Sequence, residues 1–311
     1  MRTAALAAAV VGVFAGAAGL MSAPPPPDAP DTKMMKKAEA PRPPAPPPIR
    51  LLIVTGRQSH DWRTGSAVLR EFLAGSGRFR LDVIDDPEQQ LTEERLAAAD
   101  VIVLYYRSPR RWPAAIEHAL TSAVRAGKGL VVLHGADSSF AGRLVDGKPV
   151  GDWPEYEEMI GGGRRAGFGA VAGPTQFAVQ FAGATAPPPA PAPMGKAAAK
   201  PLVVRPHPIT AGMTGFRHVP DELHGKLKML PGNEVIAGAE HHTLPGGLQP
   251  VAWVRSHGSG RVFVTTLGHG LEPMRGAGYQ TLVLRGAEWA ATGKATIASP
   301  DQLDAPEEPR P

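Results

Sequence analysis

Between Arg50 and Thr296 the chain alternates short apolar runs with longer stretches of helical spacing. "RLLIVTG" (50–56) is a compact apolar run closed by a glycine, which predicts a buried strand. "RTGSAVLREFLAGSG" puts Val68, Leu69, Phe72 and Leu73 on one face of a helix. "FRLDVIDD" alternates as a strand, and "TEERLAAA" opens with Thr92 as a cap and two acids in its first turn. "DVIVLYY" predicts a third strand. "PAAIEHALTSAVRAG" predicts a helix that starts near Pro113 and stops by Gly127, and "GLVVLHG" the next strand. Strands and helices in strict alternation predict an open, mostly parallel, flavodoxin-like α/β sheet with helices on both faces.

Further along the pattern loosens. "QPVAWVRSHGSGRVFVTTLGH" reads as a β-hairpin turning at "HGSG", an addition to the parallel sheet. "GYQTLVLRGAEWAA" reads as a closing helix with Leu282, Leu284, Ala287 and Trp289 toward the core. Two proline-rich segments flank or interrupt this body, at 24–48 and 183–201, and composition predicts a linker and a disordered insertion. The tail, 297–311, is expected to be disordered as well.

The first 23 residues carry one arginine, a long Ala/Val/Gly/Leu run and small residues, the pattern of a secretory signal. The expected location is therefore secreted or periplasmic. The alternative is an uncleaved anchor, which would be the chain's one link to a membrane.

The chain has no cysteine, which removes thiol nucleophiles, thiolate metal sites and disulfides together. The net charge of +4 is scattered, and its densest run, "GRRAG", is too short for a nucleic-acid footprint. A small molecule remains as the partner.

In open α/β sheets ligands bind beyond the carboxyl ends of the strands. That rule selects four loops: "TGRQSHDW" with His60, Asp61 and Trp62; "YYRSPRRW" with Tyr106; "HGADSSF" with His134 and Asp137; and "LGHGLEP" with His269 and Glu272. Three of them hold a histidine, whose ordinary pKa suits proton transfer near neutral pH. The "HDW" piece would equally start a helix, with Asp61 as its cap.

Two further segments carry chemistry. "DWPEYEEMIGG" sets Trp153 and Tyr156 among carboxylates, as a sugar-binding cleft does, although its glutamates also suit a helix start. In "DELHGKL", Asp221 and Glu222 form a candidate acid/base pair or a helix cap. Histidine and carboxylate ligands would also allow a divalent metal at His60, His134 and His269, though no metal motif such as HxxEH supports it. No cofactor fingerprint is present: P-loop, GxSxG and strand-borne GxGxxG motifs are all missing.

In this order "LLIVTGRQSHDWRTGSAVLREFL", "KGLVVLHGADSSF", "DWPEYEEMIGG", "HPITAGMTGFRHVPDELHGKL", "PVAWVRSHGSGRVFVTTLGHG" and "LVLRGAEWAATGK" resemble the ThuA-like, or trehalose-utilisation, family. The resemblance covers nearly all of 50–294 outside the proline insertion. It implies the class I glutamine-amidotransferase-like fold and a role in carbohydrate metabolism, on keto-sugars or glycosides. Glutaminase chemistry by a thiolate is excluded, since no cysteine exists. His134 falls at or beside the place of the lost nucleophile, and His269 falls where that superfamily keeps a histidine. Where the family more often has tyrosine after "DEL", this chain has His224. Three readings follow. The first is an enzyme acting on a sugar derivative, with His134, His269, Asp221 and Glu222 as its catalytic groups. In it His60, Asp61, Trp62, Tyr106, Asp137, Trp153 and Tyr156 would line the cleft. The second is a non-catalytic sugar-binding module, and the third a metal-dependent hydrolase.

Overall fold

The computed structural model describes residues 47–182 and 202–304. The expected signal segment, the proline insertion, nearly all of the linker and the end of the tail lie outside the described residues. Among the described residues no helix is long and apolar enough to cross a membrane.

The first half follows the predicted alternation: β1 (Ile49–Val54), α1 (Trp62–Gly75), β2 (Phe79–Ile84), α2 (Pro87–Gln90), α3 (Glu93–Ala98), β3 (Val101–Leu104), α4 (Ala114–Arg125) and β4 (Gly129–Val132). Local signals set the helix starts. Asp61 accepts from the Thr64 amide at 3.2 Å and caps α1, and Thr92 accepts from the Arg95 amide at 3.3 Å and caps α3. After β4 come a single 3₁₀ turn (Ala136–Ser138), β5 (Ala141–Val145), β6 (Lys148–Asp152), α5 (Pro154–Ile160), β7 (Gly162–Gly163), β8 (Ala170–Thr175) and β9 (Ala178–Gln180). The last part holds β10 (Phe216–Arg217), β11 (Asp221–Gly225), β12 (Lys228–Met229), β13 (Glu234–Ala239), β14 (Gln249–His257), β15 (Gly260–Thr265), α6 (Leu271–Arg275) and α7 (Ala277–Thr292).

One sheet of nine strands organises the body, in the order β10-β9-β13-β14-β15-β4-β3-β1-β2. The five strands from β2 to β15 are parallel and in flavodoxin-like order. The expected hairpin is β14–β15, and it is part of this sheet: β15 is the fifth parallel strand, and β14 begins an antiparallel extension through β13, β9 and β10. Alternation along the strands fills two cores. Leu51, Ile53, Val101 and Val103 face α1 and α7, while Leu52, Val54, Ile102 and Leu104 face the α3–α5 side. Burial on both faces explains why these strands read as continuous apolar runs.

Two features were not foreseen. "VDGK" closes the β5–β6 hairpin, with Asp146 and Gly147 both at positive φ (51° and 73°). That is the Asp-Gly signal of a type I′ turn, so the sequence did carry it. The tail also docks as far as it is described: Ile297 packs on the core, Leu303 is buried, and Asp304 accepts from the Arg217 amide at 2.6 Å.

Candidate functional site

The carboxyl ends of the parallel strands deliver three histidines to one place. His60 comes from the β1–α1 loop, His134 from just past β4, and His269 from the loop after β15. The chain must turn sharply after His134 and before His269. Gly135 (φ 84°) and Gly268 (φ 100°) make those turns, and a Cβ on either would strike Gln58 or the Tyr279 ring at under 3 Å. β11 supplies the rest. Glu222 and His224 are two residues apart on that strand and reach the same side.

The rings sit close together. Centroids are 4.1 Å apart for His60–His269, 4.7 Å for His134–His224, 5.2 Å for His134–His269 and 5.6 Å for His60–His134. Glu222 Oε2 lies 2.9 Å from His269 Nδ1 and 3.9 Å from His224 Nε2. The first contact is close but lacks the alignment of a hydrogen bond. His269 and Glu222 remain partly exposed, at 27% and 22% of their side chains. His134 and His224 are buried.

Hydrogen bonds fix two tautomers. His134 Nδ1 is 2.7 Å from the Thr266 carbonyl. A carbonyl only accepts, so Nδ1 carries the proton and Nε2 keeps its lone pair. His224 Nδ1 is 3.2 Å from Asp137 Oδ2, and the ionised carboxylate likewise makes it the donor. His224 Nε2 is then left buried with no hydrogen-bond partner. Ser59 Oγ pairs with His60 Nε2 at 3.1 Å.

Burial, with the neighbouring His224 adding to it, pushes the His134 imidazole down to about 3, so it is neutral at physiological pH. Burial and His269 lower His60 as well. For Asp137 burial acts upward, but the electrostatic attraction and hydrogen bond of His224, with His134 and Arg165 adding to them, outweigh it and hold the carboxyl below its ordinary range. Asp221 is held low in the same way, with burial overcome by His218.

The predicted residues separate into three groups. His60, His134, His269 and Glu222 converge on the cluster. Asp221 and Asp137 stand behind it. Asp221 is fully buried and accepts from His218 Nε2 (2.9 Å) and from the amides of Gly268 (2.7 Å) and His269 (3.0 Å), so it positions the His269 loop. It does not pair with Glu222 as an acid/base couple, because its oxygens are already engaged. Asp137 orients His224 from behind.

The third group does not line a cleft. Asp61 is spent on capping α1, and Trp62 packs on the core beneath Arg63. Tyr106, Trp153 and Tyr156 are buried in a nest with Trp112 and Phe140, with ring centroids 5.0–6.3 Å apart. Tyr156 Oη donates to the Ala136 carbonyl at 2.9 Å. The expectation of a sugar-stacking face there is corrected, since no ring face is left for a ligand. Glu272 is exposed beside Arg275, and the carboxylate that meets His269 is Glu222. The sequence reading passed over His224 and His218 as site residues. Glu222-x-His224 on an alternating strand was the signal for the first.

Among the described residues two sets place donor atoms within 4.8 Å of one another: His60, His134 and His269; and His134, Glu222 and His224. A hollow of about 440 Å³ at the opposite, amino edge of the sheet is lined by Arg78, Asp100 and Lys128. All three are engaged in ion pairs or carbonyl contacts.

The family model for ThuA, described as trehalose utilisation, matches residues 50–290. The chain belongs to the ThuA family. Solved structures agree on the fold. A ThuA-like protein from Parabacteroides merdae superposes with a TM-score of 0.65 at 24% identity, covering 82% of this chain and 94% of that one. A ThuA-like protein from Bacteroides uniformis gives 0.58 at 19% identity, covering 84% and 98%. A cytoplasmic protein from Salmonella typhimurium LT2 gives 0.51 at 13% identity, covering 78% and 99%. No curated protein matches the sequence. ThuA membership points to a carbohydrate-related role.

Proposed function

We propose that this ThuA-family protein is an exported enzyme that acts on a carbohydrate derivative, a keto-sugar or a glycoside, at the imidazole cluster. One observation carries the reading: four histidines and Glu222 meet at the carboxyl edge of the parallel sheet, where this fold type presents its ligands. The partly exposed His269 and Glu222 form the face a substrate meets. His269 takes or gives a proton at a sugar hydroxyl or beside a carbonyl, and Glu222 holds the imidazolium that forms. Neutral His134 is buried behind them, held by the Thr266 carbonyl. Export rests on the signal-like composition of residues 1–23.

The test is turnover and thermal shift against a panel of disaccharides and 3-keto-glycosides. His269→Ala and Glu222→Gln are each expected to cut turnover by about 10²–10⁴-fold, the usual range for a lost proton-transfer group. Turnover at the wild-type rate in both variants would overturn the reading. Ligand-induced stabilisation without any turnover would identify a binding module instead.

A further inference from the structure

We propose that His134, His224 and Glu222 bind one divalent transition-metal ion, with His60 and His269 flanking its open side. This goes beyond the carbohydrate reading and stands on the ligands alone.

Three observations carry it. First, the donor atoms of these residues already lie within 4.8 Å of one another. Bonds of about 2.0–2.2 Å to one ion would bring them to roughly 3–3.6 Å, a contraction that small side-chain rotations supply. Second, each imidazole is held from behind by its other nitrogen: His134 Nδ1 on the Thr266 carbonyl, His224 Nδ1 on Asp137. That is how ligating histidines are oriented, with the tautomer fixed and the inner nitrogen basic. Third, His224 Nε2 is buried and has no hydrogen-bond partner. An orphaned buried nitrogen is costly, and a cation in front of its lone pair removes the cost.

His134 belongs to both donor sets but has one free lone pair, so one ion uses one set. The inner set is favoured because both of its imidazoles are buried and tautomer-fixed, whereas His269 already turns Nδ1 toward Glu222. Two imidazoles and one carboxylate suit zinc, iron(II), manganese or cobalt better than magnesium or calcium, which favour all-oxygen shells. Three protein ligands leave positions open for water or for the oxygens of a substrate.

The test uses the full chain, purified, stripped with chelator and titrated with Zn²⁺, Mn²⁺, Fe²⁺ and Co²⁺. Bound ion is read by elemental analysis, and for Co²⁺ by its visible absorption. The expected result is about one ion per chain with a rise in melting temperature. His224→Ala and Glu222→Gln should lose or weaken binding by at least tenfold, while His60→Ala retains it. Asp137→Asn should weaken it by about 10–100-fold, as loss of an orienting partner does. If His224→Ala fails to fold, Glu222→Gln, at a partly exposed position, tests the same ligand set. Failure of all four metals to bind the folded wild-type protein would overturn the proposal. So would stoichiometric binding that survives His224→Ala and Glu222→Gln but is lost in His60→Ala. A folded protein that binds none of the four metals and still turns over sugars would sink the metal proposal and leave the carbohydrate reading standing.

Discussion

The two edges of the central sheet use polar residues in opposite ways. At the amino edge every charged group named here is consumed by the fold. Asp100 takes the amide, Nε and Nη2 of Arg50, and Lys128 Nζ donates to the carbonyls of Ala97 and Ala99. Glu288 accepts from Arg78, Thr296 and Ile297. At the carboxyl edge, buried polar atoms are left over: His224 Nε2, Gln58 Oε1, Thr266 Oγ1 and Tyr279 Oη have no hydrogen-bond partner. Satisfied polar groups add to stability and have nothing left for a ligand. Unsatisfied ones cost stability and are where function concentrates. His257 Nε2, at the β14–β15 turn on the amino edge, is also without a partner, so the contrast is one of degree: the carboxyl edge gathers such atoms beside His134 and Gly268.

The sharpest way to break this division lies in the aromatic nest beside the cluster. If Trp153 is core, Trp153→Ala costs about 3–5 kcal/mol of unfolding free energy, as large-to-small core changes do. Urea denaturation measures it. Unchanged stability together with weakened sugar binding would return Trp153 to the cleft.

A smaller effect is expected at the amino edge. Glu288→Gln leaves the Arg78 guanidinium and two amides poorly matched and should cost about 1–3 kcal/mol, with turnover unchanged. The effect has a defined pH dependence. Burial pushes the Glu288 carboxyl upward, but its bonds from Thr296, Arg78 and Ile297 prevail and hold it below its ordinary value of 4.5. The wild-type advantage is therefore complete above about pH 4.5 and is lost as pH falls through the lower folded value. A gap between wild type and Glu288→Gln that widened on acidification would contradict this.

The smallest effect is predicted for Asp100→Asn. The Arg50–Asp100 pair is well formed but solvent-exposed, and such pairs contribute little. The melting temperature should move only slightly, and less in high salt. A loss of turnover would mean that the amino edge is not the inert side of the sheet.

Much of this was legible in the sequence because it is local. The 2.0 and 3.6 periodicities placed β1 to β4 and their helices, and Thr92 and Pro113 marked two helix starts. The strand-end rule found His60, His134 and His269 together. The misreadings share one cause. Trp153 and Tyr156 beside glutamates look alike in a binding cleft and in a core that starts under a helix, and only packing against Phe140 and Trp112 distinguishes them. Asp221 and Glu222 are adjacent, yet one is buried under the His269 loop and the other faces the imidazoles, because successive strand residues point opposite ways.

The sequence by itself determined the parallel α/β body, the edge on which His60, His134 and His269 collect and the impossibility of thiol catalysis, since periodicity, strand ends and residue types are properties of short segments. The tertiary structure decided which carboxylate meets His269, which histidine completes the cluster and which aromatics are closed to a ligand. Those pairings join residues 48 to 132 positions apart, as in Asp221–His269, Asp137–His224 and His134–Thr266. No local pattern encodes contacts of that span; they exist only once β11 is laid across the carboxyl edge of the sheet.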